Sequence, residues 1–367
     1  MRPPARARRG GALDLHVVVM AGGAGERLWP QSRRRRPKPL LPVAGGATLL
    51  GATVERARRI TARERIWLVC TADNAPALRK EAGLPPGRVL VEPQGRNTAM
   101  AVGYAAARIA SRHPEAVLLV LPADHVIPDA RAFAAAARRA ARAAAGAGVL
   151  VTLGVRPTRP ETGYGYIHLG APAGRRHPGL HRVRGFAEKP ALARARRYLA
   201  SGAWLWNAGI FAWRADTILA EIERHEPALA RALAPLRAAG RPAPAALARA
   251  YRRAPALPID VAVLERSDRV WTLPIAFHWN DLGSWASLAG ELGVGGKASR
   301  VVAGEAWLED APGNLVWGAG RPIALLGVEG LAVIDAGDAL LVTRLERSAD
   351  VRRIVGRLRA AGRRELL

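Results

Sequence analysis

Val17, Val18 and Val19 run into Gly22-Gly23-Ala24-Gly25, and this junction narrows the folds open to the chain more than any other stretch. A β-branched run with no polar alternation predicts a strand buried on both faces, the kind found in parallel α/β sheets. Glycines at the carboxyl end of such a strand bare their peptide N–H groups and let the backbone approach phosphate oxygens. Gly22, Gly23 and Gly25 are therefore candidate phosphate-binding positions. Arg27 follows at once, and Lys38 stands a little further on between Pro37 and Pro39, so cations flank the turn.

The spacing excludes two familiar phosphate loops. A P-loop needs Lys and then Ser or Thr directly after its last glycine, and Glu26-Arg27 stand there instead. A dinucleotide turn needs a third small residue opening the helix, where this chain has Leu28.

Beyond the turn, strand-like and helix-like runs alternate. Val17–Met20, Ile66–Cys70, Val89–Val91 and Val117–Leu121 read as strands, each followed by a helical stretch (49–60, 75–82, 98–111 and 130–145). The alternation predicts βαβ units and a parallel sheet covered on both faces, with ligands beyond the carboxyl ends of its strands. Residues 226–258 read as helices with a loop. From about Ser299 the texture changes to short β runs at 301–302, 323–327, 331–334 and 339–342, with a closing helix over 349–361. A small β-rich second domain is expected there, its boundary near 287–298.

Composition limits the remaining readings. The net charge of +26 invites nucleic acid, but the arginines are spread along the chain and mostly punctuate alanine-rich helices. The one dense block, Arg33 to Arg36, sits between the glycine turn and Lys38, where a small polyanion would be drawn. Specific nucleic-acid binding is not expected. Of 56 basic residues only Lys38, Lys80, Lys189 and Lys297 are lysine; Lys80 and Lys297 read as chance survivors, while Lys38 and Lys189 stand where a compact point charge suits better than a planar fork. Lys38 and Lys189 lie in motif-like settings, Pro-Lys-Pro and Phe186-Ala-Glu-Lys-Pro190. No apolar run approaches the ~20 residues of a membrane span. The single cysteine, Cys70, reads as a buried strand residue and fits a reducing cytoplasm.

Two acids invite a metal. Asp124 ends the apolar strand 117–122, and Asp281 lies in Phe277-His278-Trp279-Asn280-Asp281-Leu282-Gly283-Ser284-Trp285. Strand-end carboxylates suit a hard cation that also bridges phosphate oxygens, Mg²⁺ above all. His125 reads as a structural hydrogen-bonding group.

Taken in order, AGGAGERLWP…PKPLL, EPQGRNTA (92–99), LPADH (121–125), ETGYGYI (161–167), FAEKP (186–190), WNAGIF (206–211) and WNDLGSW (279–285) resemble the sugar-1-phosphate nucleotidylyltransferases, in particular the mannose-1-phosphate guanylyltransferases. The resemblance implies an α/β fold: a Rossmann-like, mostly parallel nucleotidyltransferase domain over 14–290 after a basic flexible tail (1–13). A small β-rich, left-handed β-helix-like domain with a terminal helix would follow over 291–367. It implies transfer of a guanylyl group from GTP to mannose 1-phosphate, giving GDP-mannose and pyrophosphate, with Mg²⁺ held by Asp124 and Asp281. Catalysis would fall to Arg27, Lys38 and Lys189, the last gripping the sugar phosphate. Glu92, Arg96 and Asn97 would read the nucleotide alongside Gly22, Gly23 and Gly25, while Gly165, Glu188 and Asn207 would meet sugar hydroxyls. The expected partners are those two substrates, with no membrane and no specific nucleic acid, in a cytoplasmic protein compatible with a homodimer. Another sugar or base, GDP-heptose for instance, stays open. So does a sugar-nucleotide-binding regulator of weak activity, for which the best sign is Glu26 in place of the family's usual Thr.

Overall fold

A computed structural model describes residues 13–23, 25–42, 46–239 and 242–367. The basic tail expected over 1–13 lies outside them, Leu13 excepted, as does Ala24 of the glycine turn.

The first half follows the expected alternation. Strands β1 (Leu15–Met20), β2 (Ile66–Thr71), β3 (Val89–Glu92) and β4 (Val117–Pro122) alternate with helices α1 (Leu49–Arg58), α2 (Ala75–Ala82), α3 (Asn97–Ala110) and α4 (Ala130–Ala147). The strands pair in parallel in the order β3-β2-β1-β4. Thr48 opens α1 by accepting the Gly51 N–H at 2.9 Å, and Asp129 opens α4 by accepting those of Arg131 and Ala132. Gly148 ends α4 in the left-handed conformation.

Past α4 the sheet changes character. It continues through β5 (Leu150–Val155), β6 (Tyr166–Pro172), β7 (His181–Ala187), β8 (Trp204–Arg214) and β9 (Val270–Ile275), with α5 (Leu192–Ser201) between β7 and β8. The full order is β3-β2-β1-β4-β8-β5-β9-β7-β6. β8 runs antiparallel to both β4 and β5, and β6 and β7 form an antiparallel pair. The sheet is thus mixed, and parallel only in its first four strands and the β5–β9 pair. The physical reason is visible in β6 and β7, which are only partly buried and carry polar residues, so they lack the apolar signature of a covered parallel strand.

Helices cover both faces. Val17 and Val19 point into a core with α1, α2 and α4, and Val18 points into one with α3 and with α6 (Ala215–His225), α7 (Pro227–Ala239) and α8 (Pro244–Arg253). This two-residue alternation is why all three valines are fully buried. Cys70 is buried in β2, where burial and then the Glu92 charge push its thiol up to about 12.

After α9 (Trp285–Glu291) come β10 (Arg300–Ala303), β11 (Ala306–Glu309), β12 (Leu315–Trp317), β13 (Ile323–Leu326), β14 (Leu331–Asp335) and β15 (Leu340–Arg344), then α10 (Val351–Ala360). β10-β12-β14 and β11-β13 stack in parallel as short coils of a β-helix, and β15 closes one edge antiparallel. A third apolar cluster joins this region to the glycine-turn flank: Leu28, Trp29 and Trp285 pack with Trp317, Ile334 and Val355. The Trp285 indole donates to the Trp29 carbonyl at 3.1 Å, and the Trp29 indole donates to the Leu366 carbonyl at 2.7 Å. The loop after the first strand is therefore anchored from the far end of the chain. Among the described residues no helix is long and apolar enough to cross a membrane.

Candidate active site

Gly25 sets the shape of the turn. Its φ of +59° lies in the left-handed region, and a Cβ there would stand 2.5 Å from Ser32 Oγ and 2.7 Å from Lys38 Cβ. Only glycine lets the turn fold down against Lys38. Gly22 is close-fitted in a milder way, since its Cβ would meet Glu92 Oε2 at 3.3 Å, while Gly23 has open space.

Lys38 is 7% exposed, and its ammonium lies 2.6 Å from Asp124 Oδ2 while also donating to the main-chain carbonyl of Asp281. Asp124 lies two residues beyond β4 and Asp281 follows β9, so segments after two separate strands deliver their acids to one ammonium. Burial alone would raise the Asp124 carboxyl. The Lys38 charge and hydrogen bond, with His125 adding, instead hold it below the usual carboxylate range. Asp281 Oδ1 accepts from the Tyr164 hydroxyl at 2.6 Å and from the Gly283 N–H at 3.0 Å. Arg27 Nη1 reaches the same place, within 3.2 Å of where a Cβ on Gly283 would sit.

Oxygen donors only converge there. His125 turns its Nδ1 to the Trp279 indole N–H at 3.1 Å, and burial first of all pushes its pKa down to about 4, so it stays neutral and structural. Asp281 Oδ2 has no hydrogen-bond partner among the described residues. Asp124 lines a cavity, and together with Asp281 it offers carboxylate oxygens that fit a hard divalent cation taking its other ligands from phosphate and water. The cluster of Asp14, His16 and His113 also has metal-like spacing. There the Trp67 indole N–H occupies His16 Nδ1, so Nε2 of the neutral ring keeps its proton and cannot ligate.

The nucleotide segment shares a cavity of about 260 Å³ with this cluster, lined by Gly22, Glu92, Arg96, Asn97, Asp124 and Gly209 among others. Glu92 is 4% exposed, and burial raises its carboxyl to about 7 against the opposing pull of the neighbouring Tyr251 hydroxyl. Its Oε1 has no partner in hydrogen-bonding geometry. Arg96 lines the cavity, but its Nε and Nη2 donate to the carbonyls of Tyr251 and Arg252, so it braces the loop rather than reaching into the space. Asn97 sits at φ +61° with Oδ1 accepting the Thr98 N–H.

The sugar-side residues form a second cluster. The Asn207 N–H donates to the Gly165 carbonyl at 2.8 Å, and a Cβ on Gly165 would come within 2.7 Å of Glu188 Oε2. Asn207 Nδ2 donates to Asp260 Oδ1 at 2.8 Å, and Thr152 donates to Asn207 Oδ1. Burial and the Glu188 charge raise Asp260 to about 7. Lys189, at φ +45°, pairs with Glu188 at 2.8 Å, and its side chain is more than half exposed. No described contact joins it to the glycine turn. The clusters meet at Gly209, two residues from Asn207, which lines the cavity with Asp124.

Sequence reasoning missed Tyr164, Asp260 and Arg359. Tyr164 stands inside ETGYGYI, so the motif marked it; Asp260 and Arg359 carry no local signal. Arg359 Nη2 lies 2.6 Å from Glu26 Oε1. The negative charge beside the phosphate turn is matched by a cation from α10, which removes the ground for reading Glu26 as a lesion.

A glycine turn backed by a buried ammonium and two carboxylates in a mixed sheet points to a nucleotidyltransferase. Residues 16–291 match the nucleotidyl transferase family, and residues 305–358 match the MannoseP isomerase/GMP-like beta-helix domain. The chain is 39% identical to the xanthan biosynthesis protein XanB of Xanthomonas campestris pv. campestris (strain B100), over 96% of its own length and 75% of the relative's. It is 36% identical to the mannose-1-phosphate guanylyltransferase of Escherichia coli (strain K12), over the same shares. The crystal structure of mannose-1-phosphate geranyltransferase from Thermus thermophilus superposes with a TM-score of 0.86 at 38% identity, covering 95% of this chain and 100% of that one. The chain belongs to the nucleotidyl transferase family, on its mannose-1-phosphate guanylyltransferase branch.

Proposed function

We propose that this protein transfers the guanylyl group of GTP to mannose 1-phosphate in a Mg²⁺-dependent reaction, with residues 14–290 as the catalytic unit. The observation that carries this reading is Lys38, held between the Asp124 carboxylate and the Asp281 carbonyl directly beneath the glycine turn.

A phosphate oxygen of the sugar phosphate attacks the α-phosphorus of GTP in line. The bond from that phosphorus to the α–β bridging oxygen breaks, and pyrophosphate leaves with the electron pair. Positioning and charge neutralisation supply most of the catalysis in such a step. The turn amides at Gly22, Gly23 and Gly25 hold the triphosphate, Arg27 fixes it from the Gly283 side, and Lys38 offsets charge developing at the α-phosphate and the leaving group. Asp124 and Asp281 would hold Mg²⁺, which would neutralise charge on the phosphate oxygens. Glu92 accepts hydrogen bonds from the guanine edge, because a buried carboxylate oxygen without a partner favours a base that donates two N–H groups over one that cannot. Gly165, Glu188 and Asn207 receive the sugar hydroxyls, and Lys189 leaves Glu188 for the sugar phosphate.

The test is pyrophosphate release with Mg²⁺, each nucleoside triphosphate in turn, and a panel of hexose 1-phosphates. Turnover is expected with GTP and mannose 1-phosphate. Release only with a different pair would replace the substrate assignment, and binding of nucleotide without release under any pair would remove the enzymatic reading.

A further inference from the structure

The arginine block between the glycine turn and Lys38 takes no part in the chemistry described above, yet the fold gives it a defined place. Arg33 and Arg34 line a cavity of about 600 Å³ together with Gly22 and Gly23, and Gly22 also lines the nucleotide cavity next to it. A second lobe, also about 600 Å³, adds Arg35 and Arg36, and Arg364 from the C-terminal segment lines both lobes. The side-chain carboxylates of this basin are already matched, and Leu367 lines both lobes beside them. Asp73 pairs with Arg34 at 2.9 Å, Glu26 with Arg359 at 2.6 Å, and Glu365 with Arg363. Asp338, nearby, pairs with Arg33 at 2.5 Å. Arg36 donates to the neutral Gln31 amide at 2.9 Å. Arg35, Arg36 and Arg364 are exposed and have no carboxylate partner among the described residues.

We propose that this basin is a second diphosphate site, which holds free inorganic pyrophosphate beside the glycine turn as it leaves or enters the reaction centre. The inference rests on the nucleotidyl-transfer reading, which makes pyrophosphate the co-product. Guanidinium forks match phosphate oxygens two at a time, and unmatched cations around one cavity select a compact anion of high charge. The diphosphate group could also be the tail of the bound nucleotide, and the measurements below separate the two sources.

The test variant is Arg35→Ala/Arg364→Ala, which removes exposed side chains outside the reaction centre. Calorimetric titration of the intact protein with inorganic pyrophosphate, at low ionic strength to limit screening, should find two equivalents bound by the wild type and one by the variant. In the reverse reaction the KM for pyrophosphate should rise about tenfold, a factor of about three for each exposed cation lost, while the KM for GTP stays within about twofold. Arg352→Ala/Arg353→Ala removes the same net charge from α10 outside the basin and should change neither. Equal stoichiometry in wild type and variant would overturn the proposal. So would a parallel rise in the GTP KM, which would assign the arginines to the nucleotide tail, or an equal effect of the α10 control, which would reduce the basin to general charge attraction. The titration needs no turnover, so failure of this site and failure of the proposed activity are separate results.

Discussion

Lys38 Nζ lies 2.6 Å from Asp124 Oδ2, and the same ammonium donates to the carbonyl of Asp281, so one cation ties together two acids far apart in the chain. A guanidinium cannot take this place. It is planar and wider, and Lys38 Cβ already packs against the glycine turn. Lys38→Arg is therefore expected to lower kcat by about 100-fold or more, a loss of roughly 3 kcal/mol typical of a charge-stabilising donor. Lys38→Ala should do the same and also let the Asp124 carboxyl rise. Steady-state pyrophosphate release checks both, and an arginine variant with near-normal kcat would show that only net charge matters there.

The turn itself makes a sharper contrast. Gly25→Ala must push a methyl into Ser32 and Lys38 from a left-handed φ, whereas Gly23→Ala meets nothing within 4 Å. The first is expected to cost about 1–2 kcal/mol of stability and most of the activity. The second should leave the unfolding midpoint unchanged. Urea titrations of the two variants decide it, and equal stability would mean the turn relaxes freely.

Much of this was legible before any coordinates. The valine strand, the glycine turn and Asp124 at a strand end are local patterns whose physics is complete within a few residues, and β1 to β4 form as the alternation requires. The pairing of Lys38 with Asp124 and Asp281 was not legible, because it depends on the segments after β4 and β9 coming together, where Val126 bridges to Asn280. Asp260 escaped notice for a related reason: it is one acid among many until Asn207 and burial single it out. Arg359 was hidden by abundance, since 52 arginines make each uninformative until Glu26 is seen to meet it.

Asp260 and Asn207 support a prediction about the sugar side. Asn207 is held by Thr152 through its oxygen and by Asp260 through its nitrogen, so its orientation is fixed by groups beneath it. Asp260→Ala removes the acceptor of the Asn207 Nδ2 hydrogen bond and frees that side of the amide to turn. The KM for the sugar phosphate is expected to rise several-fold, about 1 kcal/mol, with the GTP KM unchanged. Separate KM determinations for the two substrates read this out. A change confined to GTP would place Asn207 in the nucleotide half.

Glu92 makes both stability and nucleotide binding depend on pH. Burial raises its carboxyl from 4.5 to about 7 in the folded protein, so between those values the native state holds a proton that the unfolded chain has lost. The stabilising contribution is complete below pH 4.5, falls as pH rises and is gone above about 7, with a total of at most about 3 kcal/mol. Glu92→Gln removes the titration. Its unfolding free energy relative to wild type should therefore increase from pH 4.5 to 7 and then level off. The nucleotide shows the opposite trend: a base that donates hydrogen bonds needs the ionised form, so the GTP KM of the wild type should fall as pH rises through about 7, while that of Glu92→Gln stays higher and flat. Denaturant titrations and GTP kinetics across roughly pH 5 to 8.5 test the two together. A wild-type GTP KM that is level through about 7 would remove Glu92 from recognition of the base and leave it a buried acid under the glycine turn.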